Sequence, residues 1–329
     1  MERLKMRAWK FRLTLLKWYR RNGRDLPWRQ TRDPYRILVS EFMLQQTQVA
    51  TVLSYYATWV RRFPNFTALA RASQWQVLGA WQGLGYYARA RNIHATAKLV
   101  RRRFRGRFPT SIDEMRKLPG VGRYTAHAVA TFAFDQAVPI VEANSARVLA
   151  RLFDMRSPID STHGQIQLWS HAAKLVPKKS SAIYNSALLD LGALVCLPRS
   201  PKCNICPVSK FCRAKNPHTL PIKRPRAATK QLVERHAFAT KDNRVMLSRA
   251  NQRWRGMWIL PALNDAAPRG GAIYQATFPF TNHRIILQAF PAAPPKIDRD
   301  HRWFSKRQLA RAPIPSPHRR AIEQLFLAA

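Results

Sequence analysis

Acidic residues are scarce in this chain: 17 Asp and Glu stand against 57 Lys and Arg over 329 residues, a formal net charge of +40. An excess of that size selects a polyanionic partner, either nucleic acid or an anionic membrane surface. It argues against a merely well-solvated basic protein, because self-repulsion opposes compaction. Long hydrophobic runs are also missing, and no stretch reaches the length of a spanning helix. The opening MERLKMRAWKFRLTLLKWYRR is too charged for a secretory signal and offers no small-residue cleavage site. Phe11, Leu15, Trp18 and Tyr19 recur there at helical spacing, which reads as a first core helix rather than a helix lying on a membrane. A cytoplasmic, nucleoid-associated protein is the expectation. Repeats of fixed period are absent, and cysteine is absent outside one 17-residue window.

Against these absences stand 46% hydrophobic and 11% aromatic residues, which exclude a disordered polybasic tail. The length suits two domains, or one large domain with an appendix. Arginine outnumbers lysine 41 to 16, favouring planar, bidentate contacts to phosphate. Residues 1–212 read as helices with short loops, punctuated at Gly23, Pro27, Pro64, Gly83 and Pro109. Residues 213–230 form a basic, Pro-rich connector. From 231 to 329 come short β-rich runs, HAFAT, RVML, MWILP, AIYQATF, RIILQAF and HRWF, which predict a small mixed sheet. Ser316-Pro317 then predicts a last helix with Ser as its N-cap. Residues 1–212 carry +24 and residues 213–329 carry +16, so both parts suit the same polyanion.

The cysteines, Cys196, Cys203, Cys206 and Cys212, are spaced C-x6-C-x2-C-x5-C with no nearby His. Four clustered thiols in a chain without a secretion signal suggest a closed metal site, zinc or iron–sulfur, rather than disulfides. A zinc ribbon more often uses two C-x2-C knuckles, so the single knuckle favours a [4Fe–4S] cluster. Four protein ligands leave no open position for a substrate, which makes the site structural.

The segment LPGVGRYTA at 118–126 is a glycine-flanked hairpin leading into a helix, a shape that admits a phosphate to backbone N–H groups. Gly120 and Gly122 are its candidate contacts; Gly-Val-Gly alone would equally suit an ordinary inter-helix turn, but with the large positive charge the expectation is a grip on a DNA backbone. This hairpin, the cysteine spacing, SEFMLQQTQVATV at 40–52 and WQGLGYYARARN at 81–92 together resemble adenine DNA glycosylases of the MutY type. Those belong to the helix-hairpin-helix base-excision repair superfamily. The match is continuous through most of 15–212 and looser beyond 230. The resemblance implies a mainly α glycosylase of two helical subdomains with the active site in their cleft and a cluster loop at 196–212. It also implies a small α+β Nudix-like domain at 231–329 that senses 8-oxoguanine opposite the target adenine. The partner is then double-stranded DNA carrying mismatches, bound by a monomer without a membrane.

Cleaving an N-glycosidic bond calls for a proton to the departing base and stabilisation of the sugar cation, hence paired carboxylates, with the base first extruded from the stack. Glu41 is the only acid between Asp33 and Asp113 and sits in the apolar run 37–44. Such a setting raises a carboxyl pKa toward neutrality, and Glu41 matches the family's general acid. The alternative is a capping or salt-bridged Glu. Glu142, in Val141-Glu142-Ala143-Asn144, stands where the family carries Asp, one methylene longer; it is the candidate for oxocarbenium stabilisation, with Asn144 beside it. Tyr124 occupies the hairpin position where endonuclease III relatives carry a Schiff-base Lys, which predicts a monofunctional enzyme.

Gln46 and Tyr86 match the residues that wedge into the stack, Trp28 the wall of the adenine pocket, and Arg89 and Arg91 candidate backbone contacts. Ser186 replaces a Glu or Gln that reads adenine in many relatives. Phe280-Thr281-Asn282-His283 lies near the family's F-S-H loop; Thr281 keeps the hydroxyl, while Asn282 replaces its His. With only six acids after residue 212, a metal-dependent pyrophosphohydrolase is excluded. Two rivals remain: a helix-hairpin-helix glycosylase for another mismatch such as T:G, and a non-catalytic lesion-scanning protein.

Overall fold

The structure, a computed structural model, describes residues 2–225, 227–263, 270–294 and 298–327. Its helices run α1 (Glu2–Asn22), α2 (Pro34–Leu44), α3 (Val49–Arg62), α4 (Phe66–Arg71), α5 (Gln74–Ala80), α6 (Ala88–Phe104), α7 (Ile112–Arg116), α8 (Arg123–Phe134), α9 (Ala143–Leu152), α10 (Thr162–Leu175) and α11 (Ser181–Leu194). Strands follow as β1 (Lys230–Phe238), β2 (Thr240–Lys241), β3 (Arg244–Arg249), β4 (Trp258–Ile259), β5 (Tyr274–Phe280), β6 (His283–Pro291) and β7 (His301–Ser305), then α12 (Lys306–Arg311) and α13 (Ser316–Ile322). Among the described residues no helix is long and apolar enough to cross a membrane.

Two compact units divide the chain, with the boundary inside α6: Met1–Gln46 with Leu99–Pro225, and Thr47–Lys98 with Arg226–Ala329. In the first unit α2 packs on α8, and α11 packs on α1, α8 and α9. Local chemistry sets where α2 begins: Asp33 caps it by accepting the Tyr35 N–H at 2.9 Å, and Pro34 fills the first helical position. Nearly every residue of α2 is then buried. Phe11 and Leu15 of α1 join the core formed by α9, α10 and α11, as their spacing predicted.

The basic stretch after Cys212 is not free of this unit. Arg213 donates its N–H to Leu152 O at 3.1 Å, Ile159 donates to Ile222 O at 2.9 Å, and the Arg224 N–H meets the Asp160 carboxylate at 3.0 Å. Proline and arginine composition signalled a connector; these backbone bonds, invisible to composition, pin most of it down.

In the second unit β1 pairs parallel with β6, and β6 pairs antiparallel with β5. A second sheet has the order β2-β3-β4, with β7 also on β3. The mixed sheet expected from the six β-rich runs is therefore present. Trp75 of α5 stacks on Phe304 at 6.4 Å and meets Trp258 edge-on at 6.5 Å, so the α3–α5 segment shares a core with the strands. One detail is corrected: α13 starts at Ser316 with Pro315 as N-cap, so Pro317 lies one position later than expected and no side chain caps the helix.

Candidate active site

Glu41 lies on the third turn of α2, 4% exposed, and its Oε2 is buried without a hydrogen-bond partner. Burial raises its pKa to about 7; a hydrogen bond from the Tyr124 hydroxyl and the charge of Arg29 pull the other way, while Glu142 pushes it further up. Tyr124 enters from the first turn of α8, just after the hairpin. Burial and the two carboxylates hold its own pKa well above the phenol value, so it stays a neutral donor to Glu41.

Glu142 is the N-cap of α9. Its Oε1 accepts the N–H groups of Asn144 at 2.7 Å and Ser145 at 2.9 Å, and the Ser145 hydroxyl receives the Glu142 N–H at 2.8 Å. The extra methylene relative to Asp is absorbed by this curl back onto the helix end. Oε2 accepts from the Asn144 side-chain amide at 3.4 Å, so one oxygen is tied to two helix amides and the other to a single, longer bond. Burial raises the Glu142 pKa, against the two amide bonds and the charges of Arg147 and Arg24. Two carboxylates this close cannot both ionise freely, and the group with fewer donors keeps the proton. That group is Glu41.

Behind Glu142, Asn144 accepts from Arg147 at 2.7 Å, and Arg147 also donates to Gly192 O and Cys196 O at 2.7 Å each. A Cβ on Gly192 would lie 2.8 Å from the Cβ and 2.9 Å from the carbonyl oxygen of Asn144. Gly192→Ala is therefore expected to cost about 1–3 kcal/mol and to slow turnover by displacing Glu142, read by denaturant midpoint and single-turnover rate.

Sequence reading missed a third charge group. Asp190 on α11, fully buried, accepts the N–H and Nε of Arg24 at 2.8 Å each and both terminal nitrogens of Arg29 at 2.7 and 2.8 Å. Burial opposes charge on Asp190, but the arginines outweigh it and its pKa is lowered; that of Arg29 is raised in turn. The clamp fastens the loop carrying Trp28, itself 7% exposed, to the helix that carries Ser186 one turn earlier, 6% exposed. A signal existed: Asp190 is the only acid between Asp160 and Glu234, in an apolar run like that around Glu41.

Gly120 has φ +75° and turns the hairpin, as expected; Gly122 lies at φ −83°, where its lack of a side chain leaves open space rather than permitting the fold. Gln46 is exposed at φ +57°, Tyr86 is 42% exposed at φ +45°, and Thr281 is exposed at φ +52°. Left-handed backbone at non-glycine residues is a cost that persists where function uses it. In the second unit Tyr86 and Thr281 line one cavity of about 380 Å³, walled by Trp254, Phe278 and Phe280, with Arg320 at its edge. The Thr281 hydroxyl donates to Phe280 O at 2.7 Å, with Asn282 Oδ1 at 3.3 Å, so its acceptor capacity is unused by these contacts.

The arginines of the same motif are placed differently from a backbone grip. Arg89 is buried, donates to Leu84 O at 2.9 Å and Gly85 O at 3.2 Å, and lies over the Tyr86 ring at 5.7 Å. Arg91 donates to Arg255 O at 3.1 Å. The carbonyl partners of Arg89 commit it to holding the Tyr86 loop, while Arg91 ties α6 to the Arg255 backbone, uses that spacing alone does not reveal.

The four cysteines are free thiols; burial first, and then the neighbouring thiols, raises the pKa of Cys206 and Cys212. Among the described residues no three His, Cys, Asp or Glu side chains converge as on a single metal ion. Arg151, buried, donates to Cys196 Sγ at 3.2 Å, Leu197 O at 2.7 Å, Pro198 O at 3.0 Å and Leu220 O at 3.0 Å, a cationic support for thiolates. Cys196, Cys203, Cys206 and Cys212 would hold a [4Fe–4S] cluster.

Hairpin, buried acid, capped carboxylate and cysteine loop together place the chain in the helix-hairpin-helix class of base-excision repair proteins. Residues 39–172 match the family model of the HhH-GPD superfamily base excision DNA repair protein, and residues 196–212 that of the iron–sulfur binding domain of endonuclease III. An adenine DNA glycosylase from Buchnera aphidicola subsp. Baizongia pistaciae is 43% identical over 205 residues, 62% of this chain and 58% of its own length. Another, from Buchnera aphidicola subsp. Schizaphis graminum, is 35% identical over 253 residues, 76% of this chain and 71% of that relative. A solved thermostable thymine-DNA glycosylase superposes with a TM-score of 0.59 at 32% identity, covering 63% of this chain and 96% of its own. The chain belongs to the adenine DNA glycosylase family of that superfamily.

Proposed function

We propose that this protein is a monofunctional, monomeric base-excision glycosylase that hydrolyses the N-glycosidic bond of adenine opposite 8-oxoguanine or guanine in duplex DNA. The observation that carries the reading is Glu41: a buried carboxyl with pKa about 7 beside a second carboxylate and a neutral tyrosine. Protonated near neutral pH, Glu41 donates to adenine N7 and the C1′–N9 bond breaks as the base leaves. Glu142, through the oxygen that only the Asn144 side chain holds, stabilises the sugar cation that develops. Water adds at C1′, and its released proton restores the carboxylate pair. Tyr124 holds Glu41 and has no amine for an imine, so the product is an abasic site in an uncut strand.

Residues 1–212 carry this chemistry and residues 231–329 lesion reading, with the [4Fe–4S] loop adding to the DNA grip. Trp28 walls the adenine pocket, with Ser186 lending no bidentate pairing. Gln46 and Tyr86 enter the stack, and the cavity between Tyr86 and Thr281 takes the opposite base. Guanine and 8-oxoguanine differ in an N–H at N7, and the Thr281 lone pairs suit that donor. Gly120 and Gly122 supply the hairpin's phosphate contacts, and Arg89 serves DNA through the Tyr86 loop.

Single-turnover release on labelled duplexes carrying A:8-oxoG, A:G, T:G and A:T tests this, with alkali revealing abasic sites. Expected is fastest release from A:8-oxoG, then A:G, none from A:T, and no strand cut without alkali. Faster release from T:G would move the protein to the thymine-specific class, and no release at all to lesion scanning.

A further inference from the structure

The +40 charge exceeds what a base pocket needs, and one local part of it lies in residues 99–117, which hold seven basic residues and two acids. Arg101, Arg102 and Arg103 form the last turn of α6, and Arg105 and Arg107 follow it. All five are exposed. The turn that displays them is built, not loose. Gly106 donates its N–H to Val100 O at 3.1 Å and Arg107 donates to Phe104 O at 3.0 Å, closing the helix, while Phe108 anchors the exit in the core. Arg105 occupies the left-handed position at φ +52°, next to Gly106 at φ +83°. An arginine there costs about 1 kcal/mol that glycine or asparagine would avoid.

Charge pairing explains little of the cluster. Arg103 meets Glu114 at 3.0 Å, and Glu114 also accepts Lys117 at 2.5 Å. Among the described residues Arg101, Arg102, Arg105 and Arg107 form no ion pair. Three cations on a helix's last turn complement its dipole, but Arg105 and Arg107 lie beyond it. Glu114 bridges Arg103 and Lys117 and so ties the arginine turn to the start of the hairpin, where Arg116 lies near enough to Arg123 to repel its charge.

We propose that the α6 terminal turn, Arg101, Arg102, Arg105 and Arg107, is a second phosphate-binding surface that extends the hairpin's hold along the duplex backbone, outside the lesion itself. This rests on the DNA-glycosylase reading. The surface presents guanidinium forks without base-reading amides or aromatic faces, so it binds duplex irrespective of sequence and serves scanning more than recognition.

The test compares three full-length, cluster-loaded proteins: wild type, the variant Arg101→Gln/Arg102→Gln/Arg105→Gln/Arg107→Gln, and a control with the same charge loss on α1, Lys10→Gln/Lys17→Gln/Arg20→Gln/Arg21→Gln. Binding to an undamaged 30-base-pair duplex is followed by fluorescence anisotropy from about 50 to 300 mM KCl, with circular dichroism and cluster absorbance checking the fold. Removing one cation that neutralises a phosphate makes the slope of log K against log salt shallower by about 0.9. Expected is a slope shallower by about 2–4 in the α6 variant and about tenfold or more weaker binding near 0.1 M, with the α1 control close to wild type. Equal slopes in the two variants, or an α6 slope unchanged from wild type, would overturn the proposal. So would loss of poly-glutamate binding with duplex binding intact, which would assign the turn to an acidic protein. Failure of the wild type to bind duplex or release a base would instead overturn the reading beneath it.

Discussion

Glu41→Gln is expected to reduce single-turnover base release by about a hundred- to ten-thousandfold while leaving duplex affinity within a few fold. Glutamine keeps the shape of the side chain and an oxygen for the Tyr124 hydroxyl, and it removes the only transferable proton. With the wild type, release is expected to fall about tenfold per pH unit above about 7, because the acid must be protonated to act and its pKa lies there. A second fall is expected on the acid side as Glu142 takes a proton, above the ordinary carboxylate value because burial raises it. The variant should lose the alkaline limb.

Stability gives an independent reading of the same proton. The Glu41 pKa rises from 4.5 in the unfolded chain to about 7 in the fold, so the native state binds the proton more tightly. Native stability attributable to Glu41 is full below pH 4.5 and declines by about 3 kcal/mol as pH climbs to 7. Denaturant unfolding at pH 5 and pH 8 should show that decline in wild type and not in Glu41→Gln. A retained alkaline limb, or equal pH dependence of stability in both proteins, would remove Glu41 from the role. The cost of burying this carboxyl is what a general acid near neutrality requires.

Glu41 was legible because acids are so few that one in an apolar run stands out, and helical periodicity placed it inward. The strands were legible for the same reason: alternation of apolar residues is a local property. What sequence left hidden depends on partners far along the chain. Arg89 reads as a surface cation until the carbonyls of Leu84 and Gly85 are seen around it. Glu142 reads as a misplaced Asp until its curl onto the α9 amides uses up the extra methylene. The grouping of Thr47–Lys98 with the C-terminal strands rests on Trp75 meeting Trp258 and Phe304 across more than 180 residues. No pattern within either segment announces it.

Asp190 stands out in the sequence as a lone acid in an apolar run, but its arginine partners 166 and 161 residues away do not, and its removal carries the largest expected loss of stability. Asp190→Ala should destabilise the fold by about 3–5 kcal/mol, since it strands two guanidinium groups of which Arg29 is only 14% exposed. Asp190→Asn should cost less, keeping one acceptor oxygen, and is the variant in which function is measurable. Its rate should fall because the Trp28 loop is no longer fastened to α11. A loosened fold would also slow release, so the pH profile separates the two causes. Arg29 already draws the Glu41 pKa downward, and loss of its carboxylate partner frees more of its charge to do so. The alkaline limb of Asp190→Asn should therefore begin at lower pH than in wild type, a shift that loss of packing would not produce. Adding Arg29→Gln removes the stranded cation: part of the stability should return, and the limb should move back above its position in the single variant. An unchanged limb in both proteins would reduce the clamp to a structural tie.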